Sequence, residues 1–190
     1  MPIASWFWRF SIGVSDCADG ANPYSGLIQA SDGNLYGTTG NGGAYGQGSI
    51  FKITPTGTFT TLYSFCAVSG CPDGAQPQDA LVQDTSGILY GVTTDGGTGD
   101  VGAIFSFSMG LGPFIKVQPA FGKIGSPVEI LGTNLTGATS VTFNGVAATF
   151  RVAASTLITA TVPAGATNGR VQVVTPGGTL SSNVSFHVLP

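Results

Sequence analysis

The chain has 190 residues, of which 8% are charged, and a formal net charge of −3; an ordinary soluble domain is roughly one-quarter charged. Thirty glycines, eleven prolines and 42% hydrophobic residues exclude a helical bundle and suit short strands with tight turns. Only six Lys and Arg argue against a phosphate-neutralising nucleic-acid surface, and no apolar run reaches the roughly 18 residues of a bilayer span.

An internal repeat dominates the first half. Asp19-Gly20-Ala21 recurs as Asp73-Gly74-Ala75, Leu35-Tyr36-Gly37 as Leu89-Tyr90-Gly91, Gly42-Gly43 as Gly96-Gly97, and Ile50-Phe51 as Ile104-Phe105. The period is 54 residues, and 16 of the 35 positions of 19–53 are identical in 73–107 without a gap. In the first copy strands are predicted over 26–30, 34–39, 49–54 and 58–65, punctuated by Gly, Asn, Asp and Pro. Four short strands per copy match a propeller-like blade, near the kelch period of about 50. The second copy stops after Phe107 at a Gly/Pro linker, so its fourth strand is missing or supplied elsewhere.

From about residue 113 the pattern changes to clean alternation. Val128 and Ile130 share a face, then Val141 and Phe143. Asn144-Gly145 marks a hairpin. Val146, Ala148 and Phe150 continue one face, followed by Ile158, Ala160 and Val162, then Val171 and Val173, then Val184, Phe186 and Val188. About seven strands with turns every 8–12 residues predict an immunoglobulin-like sandwich. The fold class expected is therefore all-β, with two antiparallel propeller-like repeats in 1–112 (about 10–65 and 66–109) and a sandwich in 113–190. Charge divides with these parts. Residues 1–112 hold eight Asp against Arg9 and Lys52, and 113–190 hold Lys116, Lys123, Arg151 and Arg170 against Glu129.

The run Asp19 to Thr39, followed by Gly42-Gly43 and Gly48-Ser49-Ile50-Phe51-Lys52-Ile53, resembles the GloVer tandem repeat of bacterial surface proteins, over about 10–107. Gly125 to Leu135, Val141-Thr142-Phe143-Asn144-Gly145 and Thr161-Val162-Pro163 resemble an IPT/TIG domain, over about 113–189. These resemblances imply a cell-surface repeat protein with an immunoglobulin-like module, and neither brings a catalytic residue. GloVer proteins are expected to carry more than two repeats, so the chain reads as the tail of a longer array. Met1 to Phe10 lacks the basic start and long apolar stretch of a signal peptide. Trp6, Phe7 and Trp8 fall where the last strand of a preceding blade is expected.

Few residues invite chemistry. Cys66 and Cys71 flank a short turn and predict a disulfide, hence an oxidising compartment, against the alternative of two reduced thiols; Cys17 is then the odd thiol. Asp19 and Asp73 each precede Gly-Ala and are expected to fix a turn by accepting backbone amides. Calcium is the sharper alternative, with Asp95 and Asp100 as further ligands, but no cofactor or metal is expected. Asp32 is matched by Ser86 and so is not expected in a repeated role. The loop Gly40–Gly48 lacks the Lys and helix of a phosphate loop and is read as a tight interstrand connection. Tyr36, Tyr90, Phe51 and Phe105 recur and are expected to pack between blades. His187 alternates outward and has no partner for general-base work. The sequons at Asn134 and Asn183 are not expected to be used.

The sequence thus points to a non-catalytic extracellular or cell-surface module for display, adhesion, or weak binding of a polysaccharide or another surface protein. The alternative is a fragment of a carbohydrate-active enzyme whose catalytic part lies outside this chain. No nucleic acid and no membrane span are expected, and exposed strand edges favour further repeats or self-association.

Overall fold

The computed structural model describes residues 17–190, so the expectation for Trp6, Phe7 and Trp8 falls outside the described residues. The chain is all-β, with several antiparallel sheets, no closed barrel and no helix among the described residues. It divides into two compact units. One contains the residues through Val82 together with Leu89–Phe107; the other contains Gln83–Ile88 together with Ser108–Pro190.

In the first unit, β1 (Ile28–Gln29), β2 (Leu35–Thr39), β3 (Ser49–Ile53) and β4 (Phe59–Ser64) form one antiparallel meander in the order β1-β2-β3-β4. These bounds lie within two residues of those read from turn residues and alternation. The second copy supplies β5 (Ala75–Pro77), β6 (Val82–Gln83), β7 (Leu89–Asp95) and β8 (Ile104–Phe107), ordered β5-β7-β6 with β8 also on β7. β7 with β8 repeats the register of β2 with β3: Gly91 opposes Phe105 as Gly37 opposes Phe51.

Backbone, not carboxylates, holds the repeated turn. The Cys17 carbonyl accepts from the Gly20 N–H at 2.9 Å and the Gly43 N–H at 2.8 Å; the Cys71 carbonyl accepts from Gly74 and Gly97 at the same distances. Gly74 sits at φ +92°, and a Cβ there would lie 2.4 Å from Thr93 Oγ1. That hydroxyl is committed, donating to the Asp95 carbonyl at 3.0 Å and accepting from the Ala103 N–H at 2.9 Å. Gly20 and Thr39 repeat the arrangement. Of the two carboxylates expected to accept amides, Asp73 accepts that of Cys66, upstream of this turn, and among the described residues no group donates to the Asp19 carboxylate.

The fourth strand of the second copy is absent for a legible reason. Residues 113–118 stand 54 positions after β4, and 116–118 instead form a strand of the second unit. Among the described residues, the edge of β8 away from β7 has no partner strand.

The second unit contains β9 (Lys116–Gln118), β10 (Phe121–Lys123), β11 (Pro127–Leu131), β12 (Ser140–Phe143), β13 (Val146–Ala147), β14 (Phe150–Ala154), β15 (Leu157–Thr161), β16 (Val171–Thr175), β17 (Gly178–Ser181) and β18 (His187–Leu189). Two four-stranded sheets, β14-β15-β11-β9 and β13-β12-β16-β17, enclose a shared core, and β10 pairs β18 in parallel. Ile130 and Ile158 from one sheet and Val171 and Val173 from the other are fully buried, each contributing about 1.5–3 kcal/mol by leaving water. Phe186 meets Phe143 edge-on at 5.0 Å. Asn144 and Gly145 both have positive φ (46° and 86°), as the hairpin turn requires. The run read as one face from Val146 to Phe150 is not one strand. β13 belongs to one sheet and β14 to the other, and the alternation survives because Ala148, between them, and Phe150 of β14 pack against the same core.

Gly46 has φ +76° with open space around its Cα, whereas Gly74 has the Thr93 side chain against it. Gly46→Ala is expected to cost about 1 kcal/mol from the backbone alone. Gly74→Ala must also displace Thr93 and is expected to cost about 3 kcal/mol. Urea denaturation midpoints of the two variants check the order.

Candidate functional site

Within the first unit, β4 of the first copy and β8 of the second wall a cleft of about 230 Å³. Its apolar side is made by Tyr63, Phe65, Phe105 and Phe107 with Ile50, Pro72 and Ile104; Asp73 and Ser106 add polar edges. Phe65 is buried and sets the back of the wall. It meets Phe105 at 5.0 Å and Tyr63 at 5.2 Å, both edge-on, and Tyr63 meets Phe107 at 5.9 Å. Ile104, 83% exposed, stands at the open margin.

The polar corner is built by the loop that follows β4. Cys66 and Cys71 form a disulfide, and both hold positive φ (68° and 44°). The loop therefore reverses tightly and returns the chain to Asp73. The Asp73 carboxylate accepts from the Tyr63 hydroxyl at 2.6 Å on Oδ2 and from the Cys66 N–H at 3.1 Å (Oδ2) and 3.3 Å (Oδ1). The hydrogen bond to Asp73, followed by burial and the negative charge of Asp73, pushes the Tyr63 hydroxyl up to about 12. Tyr45, 53% exposed on the Gly40–Gly48 loop, adds to the same shift.

Register partners do not share this environment. Asp19 is exposed, and among the described residues no group donates to its carboxylate. Tyr63 is matched by Arg9 and Phe107 by Ile53. Tyr36 is 1% exposed and Tyr90 38%; Tyr36 donates to Asp32 at 2.8 Å, and the position of Asp32 is Ser86 in the second copy. Burial first, then that bond, pushes the Tyr36 hydroxyl up to about 12. Phe51 is buried and stacks on Phe59 of its own sheet at 5.2 Å, whereas Phe105 contacts Phe65 of the other copy. Asp100 accepts from the Gly96 N–H at 2.9 Å, and among the described residues no three His, Cys, Asp or Glu gather to hold a metal.

One repeated role comes from different positions. In the turn before β2, Asp32 accepts from the Asn34 N–H at 3.1 Å; in the turn before β7, Asp84 accepts from the Ile88 N–H at 3.0 Å. Burial tends to raise both carboxyls. The side-chain and backbone donors outweigh it: Tyr36 and Asn34 on Asp32, and Ser86, Ile88 and Gly87 on Asp84. Both carboxyls end below the usual aspartate value.

An all-β repeat unit bearing one aromatic, singly acidic cleft is the class of protein that this fold and site define. The chain belongs to the Gloeobacter/Verrucomicrobia repeat family, which matches residues 8–158. That span runs past the end of the 54-residue repeat and into the second unit. Comparison with curated protein sequences found no match. Among solved structures it is similar to an auxiliary nutrient binding protein from Bacteroides ovatus, at 21% identity and TM-score 0.36, over 40% of this chain and 21% of that one. It is also similar to SGBP-B from a complex xyloglucan utilization locus in Bacteroides uniformis, at 16% identity and TM-score 0.35, over 72% and 35%. A third is the gamma-CGTase of the alkalophilic Bacillus clarkii, at 19% identity and TM-score 0.38, over 82% and 24%. The chain thus matches no more than 35% of the length of any of these three. At TM-scores this low, the likenesses carry no argument about shared fold or activity.

The Tyr63–Asp73 bond should be visible in alkali. The folded value of Tyr63, about 12, lies above the roughly 10 of an unfolded tyrosine. The bond therefore stabilises fully below pH ~10, and its contribution fades as pH rises through ~12. Tyr63→Phe is expected to cost about 1 kcal/mol at neutral pH and to remove one late step from the phenolate absorbance titration. Replacing both Cys66 and Cys71 by Ser is expected to cost about 2 kcal/mol, the low end for a short loop, measured by urea unfolding.

Proposed function

We propose that this chain is a non-catalytic extracellular module that holds a polysaccharide in the cleft between its two repeats. The repeats act as propeller-type blades, and the second unit acts as an IPT/TIG-type immunoglobulin-like spacer. The observation that carries the reading is the cleft itself, lined by aromatic rings and a single carboxylate. Sugar rings present apolar C–H faces and polar edges, and concave sites with aromatic walls and a few placed polar groups suit them. Glycoside hydrolysis by the common route requires two carboxyl groups across the scissile bond, and Asp73 is the one carboxylate among the lining residues. The disulfide supports an oxidising, extracellular setting. The four-strand order of the first sheet supports the blade, and the two facing sheets of the second unit support the sandwich.

Affinity electrophoresis of the purified chain through gels containing plant, fungal and bacterial polysaccharides tests the reading, with release of reducing ends assayed in parallel. At least one polymer should retard the chain without being cleaved. Phe107→Ala should weaken that retardation about tenfold, the effect of losing a central aromatic contact. Retardation by no polymer, or cleavage that Asp73→Asn abolishes, would overturn it.

A further inference from the structure

Resting on that reading, we infer that the cleft selects a glycan whose amino groups are free and protonated, a polymer of de-N-acetylated amino sugars. Asp73 is the one acidic residue among those lining the cleft, which include no Lys, Arg or His, and Tyr63 donates to its carboxylate. The carboxylate is gripped chiefly at one oxygen: Tyr63 and the Cys66 amide both bond Oδ2, and Oδ1 has only the longer 3.3 Å contact from Cys66. An ionised carboxylate offers about four acceptor sites, so Oδ1 keeps capacity for a further donor.

The rings that line the cleft with Asp73 set the class of donor. Tyr63 and Phe107 line the same cleft. A primary ammonium between a ring face and a carboxylate gains a cation–π contact and a charge-assisted hydrogen bond together. A hydroxyl or an acetamide N–H can still donate to the carboxylate, but it brings no positive charge to the bond and gains no cation–π contact. The surroundings have matching charge. The described residues of the first unit hold six aspartates against Lys52, with no Arg or His. Such a field concentrates polycations and repels uronates. The equivalent carboxylate of the first copy, Asp19, is exposed and without these donors, so the anchored acid belongs to this junction and its disulfide loop.

Isothermal titration of the full chain at mildly acidic pH and low salt tests the inference. The probes are oligomers of glucosamine, the same oligomers N-acetylated, a neutral glucan oligomer and an oligogalacturonate. The glucosamine oligomer is expected to bind about tenfold tighter than its acetylated form, a gap near 1.4 kcal/mol. Added salt should erode that preference while leaving the acetylated oligomer unchanged. Asp73→Asn, checked for folding by circular dichroism, should abolish the preference. Tyr63→Phe keeps the carboxylate and should retain it, which preserves the test if the first variant does not fold. Equal binding of acetylated or neutral oligomers, or tightest binding of the acidic one, overturns the inference and leaves glycan binding intact. Failure of every oligomer to bind overturns the inference, whereas the glycan-binding reading falls only if no polymer retards the chain in the gels.

Discussion

In each repeat one backbone carbonyl receives two glycine amides, Cys17 from Gly20 and Gly43, Cys71 from Gly74 and Gly97. That three-way junction ties the start of the repeat to the loop between its two central strands. It uses no side-chain chemistry of its own, but it restricts what surrounds it. Gly20 and Gly74 turn back with positive φ against a threonine whose hydroxyl is already committed. A side chain would have to enter that contact. Much of what recurs at 54 residues is therefore the parts of one knot, namely the Asp-Gly-Ala entry, the Thr and the paired glycines.

Because the knot is closed by backbone, the side chains around it are free to diverge. Asp19 and Asp73 occupy the same corner of two equivalent turns. Asp73 is gripped by Tyr63 and by the amide of Cys66, whereas Asp19 faces solvent. The difference lies upstream, where β4 ends in Tyr63-Ser64 and the chain runs on through Phe65-Cys66, delivering an aromatic wall and half of a disulfide to the second turn. The chemistry of the first unit is thus concentrated at the junction of two copies. Neither copy makes the cleft alone, since β4 comes from one and β8 from the other.

This explains which features could be read in advance. Strand positions in the first copy were legible because glycine and asparagine punctuate short apolar runs whose members alternate. The Cys66–Cys71 pair was legible because only four residues of turn-forming sequence separate the two thiols. The Tyr63–Asp73 contact was not legible. Tyr63 and Phe107 do not recur at the 54-residue period. The signal available was the ending of β4, whose Tyr-x-Phe spacing puts two rings on one face immediately before the disulfide loop. Asp32 and Asp84 were obscured in the opposite way, since one task is performed by carboxylates two positions apart in register. The sheet change between β13 and β14 left no trace in the alternation, because both sheets face a common core.

Residues 113–118 are eligible for two places. By register they belong beside β8, where their counterparts in the first copy, Thr61 and Tyr63, are only half-buried in β4. In the fold, Ile115 and Val117 are instead fully enclosed among the aliphatic residues of the second unit. Burying two more aliphatic side chains outweighs the hydrogen bonds of one outer strand, which water supplies almost as well. The ending of the repeat is thus a competition between two hosts for the same six residues, settled by oiliness rather than by inheritance.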